Sequence, residues 1–186
     1  MIKGIYIHVP YCRQVCHYCD FAKTANHNPD HLKLYISLLA SHCEEWLNSL
    51  KPKLKSIESV FLGGGTPSLY SEEWSQVFKI INPYLSDNAE ITIEANPDDI
   101  NSQSLESWKR IGINRLSIGV QTFDDEGLKF LNRIHTKAES LEKIKLAQKY
   151  FENFNVDLIY GWEGQTLDNW KNDLELAAKY ATHLSR

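Results

Sequence analysis

The sequence predicts an α/β fold, a partial (β/α) barrel built on a parallel sheet, from two observations. Five short runs rich in Ile, Val, Leu, Phe or Tyr are bounded by Gly, Pro, Asn or Asp, as buried strands tend to be. Segments of helical period separate them, and strand–helix alternation of this kind favours a parallel sheet with helices outside it. The chain has 186 residues, 42% hydrophobic and 24% charged, which suits one domain able to bury a core.

The strands are expected at residues 4–9, 59–62, 90–94, 115–119 and 155–159. The first intervening segment, residues 31–50, places Leu32, Ile36, Leu39, Cys43 and Leu47 on one helical face, so Cys43 reads as a small buried apolar residue. Residues 71–85 do the same with Trp74, Val77, Phe78 and Ile81, although Pro83 should disturb the end. Residues 102–111 carry Leu105, Trp108 and Ile111, with Gly112 placed to stop the helix. Thr136 and Glu139 form the pattern of a capping box opening a helix to about residue 151. Thr166 is placed to cap a last helix containing Leu167, Trp170, Leu174 and Ala177. About five β/α units result, with no repeat or linker to divide them.

The net charge of −4 gives no electrostatic reason to expect nucleic acid or an anionic membrane as a partner. No run of about 18 apolar residues predicts an integral membrane segment. The first residues are too short and mixed for a signal peptide. Three of the four cysteines fall within eight residues, which in a reducing compartment points to metal or redox chemistry rather than disulfides. A cytoplasmic protein is expected.

Chemistry concentrates where strands end. Cys12, Cys16 and Cys19 are spaced C-x3-C-x2-C directly after the first strand. Three thiolates on a four-iron cube leave one iron open, and cysteine is the usual ligand of such clusters. The spacing alone also leaves open a zinc site, which normally wants four closed ligands, and a purely structural cysteine group. The second strand runs into Gly63-Gly64-Gly65-Thr66-Pro67, where the backbone is free to approach a ligand, or simply to turn. Glu94, Gln121 and Asp157 lie at the ends of strands three, four and five, the rim where α/β barrels build their sites. A carboxylate in a buried strand needs a partner, and Arg115 or Arg133 would serve as well as a ligand.

Taken together, the blocks Cys-x3-Cys-x-Tyr-Cys, Gly-Gly-Gly-Thr-Pro-Ser, Glu-Ala-Asn-Pro, Arg-Leu-Ser-Ile-Gly-Val-Gln and Asp-Leu-Ile-Tyr-Gly resemble one branch of the radical S-adenosylmethionine (SAM) proteins. That branch holds the oxygen-independent coproporphyrinogen III oxidases and the HemW-type haem chaperones, and the match is colinear from Tyr6 to about Trp170. The resemblance implies that Cys12, Cys16 and Cys19 ligate three irons of a [4Fe-4S] cluster while SAM chelates the fourth. It implies that Gly64, Gly65 and Thr66 meet the methionine part of SAM, and that Tyr6, Glu94, Gln121, Arg133 and Asp157 occupy the remaining SAM-contacting positions. In the family a reduced cluster, fed by a donor such as flavodoxin or ferredoxin, cleaves SAM to a 5′-deoxyadenosyl radical. The oxidases carry a further cysteine two residues after the third, whereas here Cys19 is followed by Asp20-Phe21, as in the chaperones. Haem or porphyrin is therefore the implied cargo, and oxidase activity the alternative. Against the family pattern, Gly161-Trp162-Glu163-Gly164-Gln165 replaces the usual Gly-Leu-Pro-Gly-Gln, which is expected to loosen that loop. Residues 1–186 are expected to form a partial radical SAM core lacking a sixth β/α unit and the C-terminal domain, and a cluster-binding fragment without activity is the third alternative. A fifth strand left bare at the edge is the further expectation. His135, close to Arg133, is the histidine expected nearest the rim.

Overall fold

A computed structural model describes residues 2–186. Six strands lie in one sheet in sequence order: β1 (Gly4–Val9), β2 (Ile57–Gly64), β3 (Leu85–Ala95), β4 (Arg115–Gln121), β5 (Phe154–Leu158) and β6 (His183–Ser185). Every neighbouring pair is parallel. Parallel neighbours need a crossover, and these are supplied by α1 (Pro29–Leu50), α2 (Trp74–Ile81), α3 (Ser102–Arg110), α4 (Asp125–Phe130) with α5 (Lys137–Ala147), and α6 (Leu167–Tyr180). All strand C-termini consequently emerge at one edge. The sheet is open, with β1 and β6 having one neighbour each.

Alternation along the strands separates two faces. Val60, Leu62, Ile91, Ile93, Leu116, Ile118, Val120, Phe154 and Val156 are buried and share one apolar core with Trp74, Val77, Phe78, Ile81, Leu105, Trp108, Ile144 and Ala177 from the helices. The opposite face is polar: the register sets Glu94 beside Ser117, Ser117 beside Asn155, and Gly119 beside Asp157. Within the described residues no helix is long and apolar enough to cross a membrane.

The strand–helix order agrees with the sequence reading; four details differ. α2 stops at Ile81 and a single 3-10 turn covers Asn82–Tyr84, because Pro83 has no N–H to continue the ladder. Leu85, expected in that helix, instead opens an eleven-residue β3, with a register irregularity against β2 between Ile57 and Ser59. α4 was not expected: six residues are too few to show a period, and only Asp124, whose carboxylate caps Gly127 N–H at 2.9 Å, marks it. Finally, β5 is not a bare edge. The three-residue β6 pairs along Asn155, Val156 and Asp157, too short and too mixed a run to announce itself.

The two buried indoles tie α2 and α3 to the loop after β2. Trp74 Nε1 donates to Pro67 O and Trp108 Nε1 to Tyr70 O, both at 3.1 Å, with neither ring exposed. Trp108→Ala removes the bond and opens a large void, so it is expected to cost about 3–5 kcal/mol in urea unfolding. A loss under about 1 kcal/mol would mean that α3 is not held by this ring.

Candidate functional site

The strand ends converge on a cavity of about 420 Å³, within the range of small-molecule sites. Ten of the eleven expected residues line it: Cys12, Cys16, Cys19, Gly64, Gly65, Thr66, Glu94, Gln121, Arg133 and Asp157. Tyr6 does not. Its side chain is 60% exposed, its hydroxyl lies 3.1 Å from His8 Nδ1, and its ring stacks on Phe61 lower on the polar face. Burial and then the charge of Glu94 push its phenol pKa up, so it stands near the cavity without lining it.

The cysteine segment has no helix or strand of its own and must find its polar partners elsewhere. Cys12 N donates to Thr24 O at 3.0 Å, and Thr24 N to Pro10 O at 2.7 Å, which closes the loop on itself. Arg13 donates through Nε (2.9 Å) and Nη2 (2.6 Å) to Oδ1 of buried Asp99, whose Oδ2 accepts from Ser68 Oγ at 2.7 Å. The other side rests on the turn after α4. Gln14 donates to Asn132 O, Asn132 Nδ2 to Val15 O at 2.8 Å, and His17 Nδ1 to Phe130 O at 2.9 Å. Asn132 takes a φ of 58°, a left-handed conformation that Asn tolerates better than most residues. Arg133 Nη1 reaches Cys16 Sγ at 3.4 Å, while its Nη2 holds Asn96 Oδ1 (2.6 Å) and Gly119 O (2.8 Å). All four cysteines are free thiols, and Cys43 packs on the core from α1, away from the other three. Burial raises the Cys12 thiol pKa; Thr66 opposes this and the neighbouring Cys19 and Cys16 add to it.

Two glycines are required by contact. A Cβ on Gly65 would stand 2.8 Å from the carbonyls of Tyr11 and Val9 and 2.9 Å from Cys12 Sγ. Gly64 has a φ of 109° and its N–H donates to Glu94 Oε2 at 3.1 Å. Gln121 accepts a φ of 73° without being glycine, beside a register shift between β4 and β5, at a cost of roughly 1–2 kcal/mol.

The two carboxylates are not ion-paired within the described residues. Arg115 instead approaches Glu90 and Thr92, and Arg133 is engaged as above. Desolvation raises Glu94 to about 7; the bond from Gly64 opposes this and the charge of Asp157 adds to it. Desolvation also raises Asp157, against bonds from Ser117 Oγ (3.0 Å) and Asn155 Nδ2 (2.6 Å) and the charge of Arg115. His135 is buried in the protein, its Nε2 3.3 Å from Val120 O, and does not reach the cavity. The loop after β5 is not loose: Gly161 N donates to Gln165 Oε1 at 2.5 Å, Gln165 N to Trp162 O at 3.0 Å, and the Trp162 ring fills the space over Gly127.

The raised Glu94 pKa has a thermodynamic sign. The folded chain holds this proton more tightly than the unfolded one, so stability is lost as pH rises from the ordinary glutamate range through about 7. Glu94→Gln should therefore exceed the parent in stability at pH 8, on the order of 3 kcal/mol at 1.36 kcal/mol per pKa unit. The gap should shrink to about 1 kcal/mol or less by pH 5, as read from urea unfolding of the cofactor-free chain. An equal gap at both pH values would refute the shift.

Comparison with known proteins agrees with this geometry. The chain is 40% identical over 188 residues to the haem chaperone HemW of Buchnera aphidicola subsp. Schizaphis graminum, covering 98% of this chain and 49% of that protein. It is 37% identical to HemW of Bacillus subtilis, covering 95% and 47%. It spans about half the length of these relatives. The solved structure of coproporphyrinogen III oxidase (HemN) from Escherichia coli, a radical SAM enzyme, superposes with a TM-score of 0.83 at 25% identity, covering 99% of this chain and 44% of HemN. Residues 6–177 match the Radical SAM superfamily, and the chain belongs to that superfamily.

Proposed function

We propose that this chain binds a [4Fe-4S] cluster through Cys12, Cys16 and Cys19, with SAM beside it, and serves in haem handling of the HemW type. The observation that carries the reading is the convergence of three free thiols with a glycine-lined strand end and two desolvated carboxylates around one cavity. Superfamily membership implies the cluster and SAM. When bound, these groups supply a one-electron reductant and a source of a carbon radical.

The residues present fit both groups. A Cβ at Gly65 would collide with Cys12 Sγ, so glycine keeps the space beside the thiols clear. Gly64, Gly65 and Thr66 offer backbone and hydroxyl groups to the amino-acid end of SAM. Glu94 and Asp157 offer carboxylates to its hydroxyls and amine, and Arg133 and Gln121 complete the wall. Beside the cavity Phe21 and Ile134 are more than half exposed, an apolar rim suited to a flat macrocycle such as haem or porphyrin. An oxygen-sensitive cluster fits a reducing, cytoplasmic setting with a small electron-transfer protein as donor.

HemN's similar fold supports the second reading, an oxidase acting on coproporphyrinogen III. Conversion of coproporphyrinogen III by the anaerobically reconstituted chain would establish that reading over the chaperone.

Reconstituted protein, reduced and examined by electron paramagnetic resonance, is expected to show a [4Fe-4S]⁺ signal that shifts on adding SAM. Cys16→Ala should remove the cluster's broad visible absorption, and Cys43→Ala should retain it. Equal loss from both substitutions, or a signal indifferent to SAM, would count against the assignment.

A further inference from the structure

Asp173 has no part in the site above, yet its carboxylate, on α6, is fully buried and spent on one turn. Its Oδ2 accepts from Thr122 Oγ1 and its Oδ1 from Phe123 N, both at 2.7 Å. That turn follows Gln121, the buried residue with a φ of 73° whose side chain lines the cavity. A strained conformation persists only where its surroundings over-determine it. Here the strand side supplies one restraint, Ile159 N to Gln121 O at 2.8 Å, and α6 supplies the other two. Asn169, one turn earlier on α6, adds a 2.8 Å bond from Nδ2 to Asp124 Oδ2 on the same turn.

We propose that Asp173 is a positioning residue, which holds Gln121 through Thr122 and Phe123 in the backbone conformation that presents its amide to the cavity. The consequence for SAM rests on the reading of Gln121 as a SAM contact. The balance of bonds explains why a carboxylate stands here. It accepts from a backbone N–H and a hydroxyl at once, and no apolar residue of that size would satisfy both buried donors. Desolvation raises the Asp173 pKa while the two bonds oppose it, as expected of a buried acceptor that is used.

Two measurements separate the contact from its consequence. Hydrogen exchange on the cofactor-free chain reads the contact alone. Asp173→Ala should speed exchange of the peptide covering residues 119–125 about tenfold or more while β1 to β3 keep their protection. Unchanged exchange there would overturn the proposal. Asp173→Asn keeps an acceptor for Phe123 N–H and can donate to Thr122 Oγ1, so it should restore protection. Thr122→Val, which removes the bond to Asp173 and the one Thr122 Oγ1 accepts from Asp124 N but leaves Phe123 N on Asp173, replaces the alanine variant if that one does not fold, and should likewise raise exchange. SAM titration of the reconstituted protein reads the consequence. Asp173→Ala should weaken SAM about tenfold at unchanged iron content, Asp173→Asn should stay within about twofold, and Asp173→Ala should add nothing in a Gln121→Ala background. Additive losses would overturn the proposal in favour of general destabilisation. Gln121→Ala without effect on SAM would refute the SAM assignment of Gln121, and the exchange result would still decide the Asp173 contact.

Discussion

The structure depends on how a segment without secondary structure is made rigid enough to hold three thiols in fixed relation. The residues from Cys12 to Cys19 have few internal bonds, and their polar groups are satisfied from across the chain. Asp99 takes Arg13, Asn132 takes Gln14 and Val15, and Phe130 O takes the His17 ring. These partners stand 86 to 118 residues away in sequence. The cysteine loop is therefore only as well placed as the ends of β3 and α4. The left-handed Asn132 lets one residue present both its carbonyl and its side chain to the loop. α4, though only six residues long, is in turn braced by Trp162, whose ring lies where a Cβ on Gly127 would stand. The substitution that departs from the family pattern at Trp162 thus supports the site from behind.

The charges around the cavity are out of balance in one direction. Three thiols, Glu94 and Asp157 face it, and the nearby cations are largely committed: Arg13 to Asp99, Lys23 to Cys19 O, and Arg133 to Asn96 and Gly119. Burial makes the ionised form of both carboxylates costly, which is the meaning of the raised Glu94 and Asp157 pKa values. A cationic occupant would reverse that preference and draw both carboxylates to their ionised form. The same surroundings that make these groups costly in the cofactor-free protein would make them effective partners for a bound sulfonium or ammonium group.

Much of this was legible in the sequence because it is local. Strand ends, the capping box at Thr136, the cap at Thr166 and the cysteine spacing each occupy a few consecutive residues; both caps form, and the strands end within two residues of the expected positions. What could not be read is of two kinds. Elements too short to repeat a pattern, α4 and β6, carry none; Ser185 on β6 nevertheless stands beside Asp157 in the register. Partnerships between distant side chains carry none either. Arg115 and Arg133 are both candidate counterions for Glu94 and Asp157 in the sequence; in the fold neither pairs directly with them, although the charge of Arg115 still favours ionised Asp157. Tyr6 is expected at a SAM-contacting position by resemblance alone, and its exposed side chain stands beside the cavity rather than in its lining.

The order of dependence runs backwards along the chain. α6 grips the turn at 122–124 through Asp173 and Asn169, that turn sets Gln121 on one side and the start of α4 on the other, and α4 delivers Asn132 and Arg133 to the cysteines. A destabilising change in the first two turns of α6 would thus reach the thiols without touching them. Strain at Gln121 and desolvation at Glu94 are both unfavourable alone, and they are sustained by a core that closes around β3 and β4 with Ile93, Leu116, Ile118 and Val120 fully buried. The site can hold a strained residue and desolvated carboxylates because the strands beneath it bury their apolar face completely.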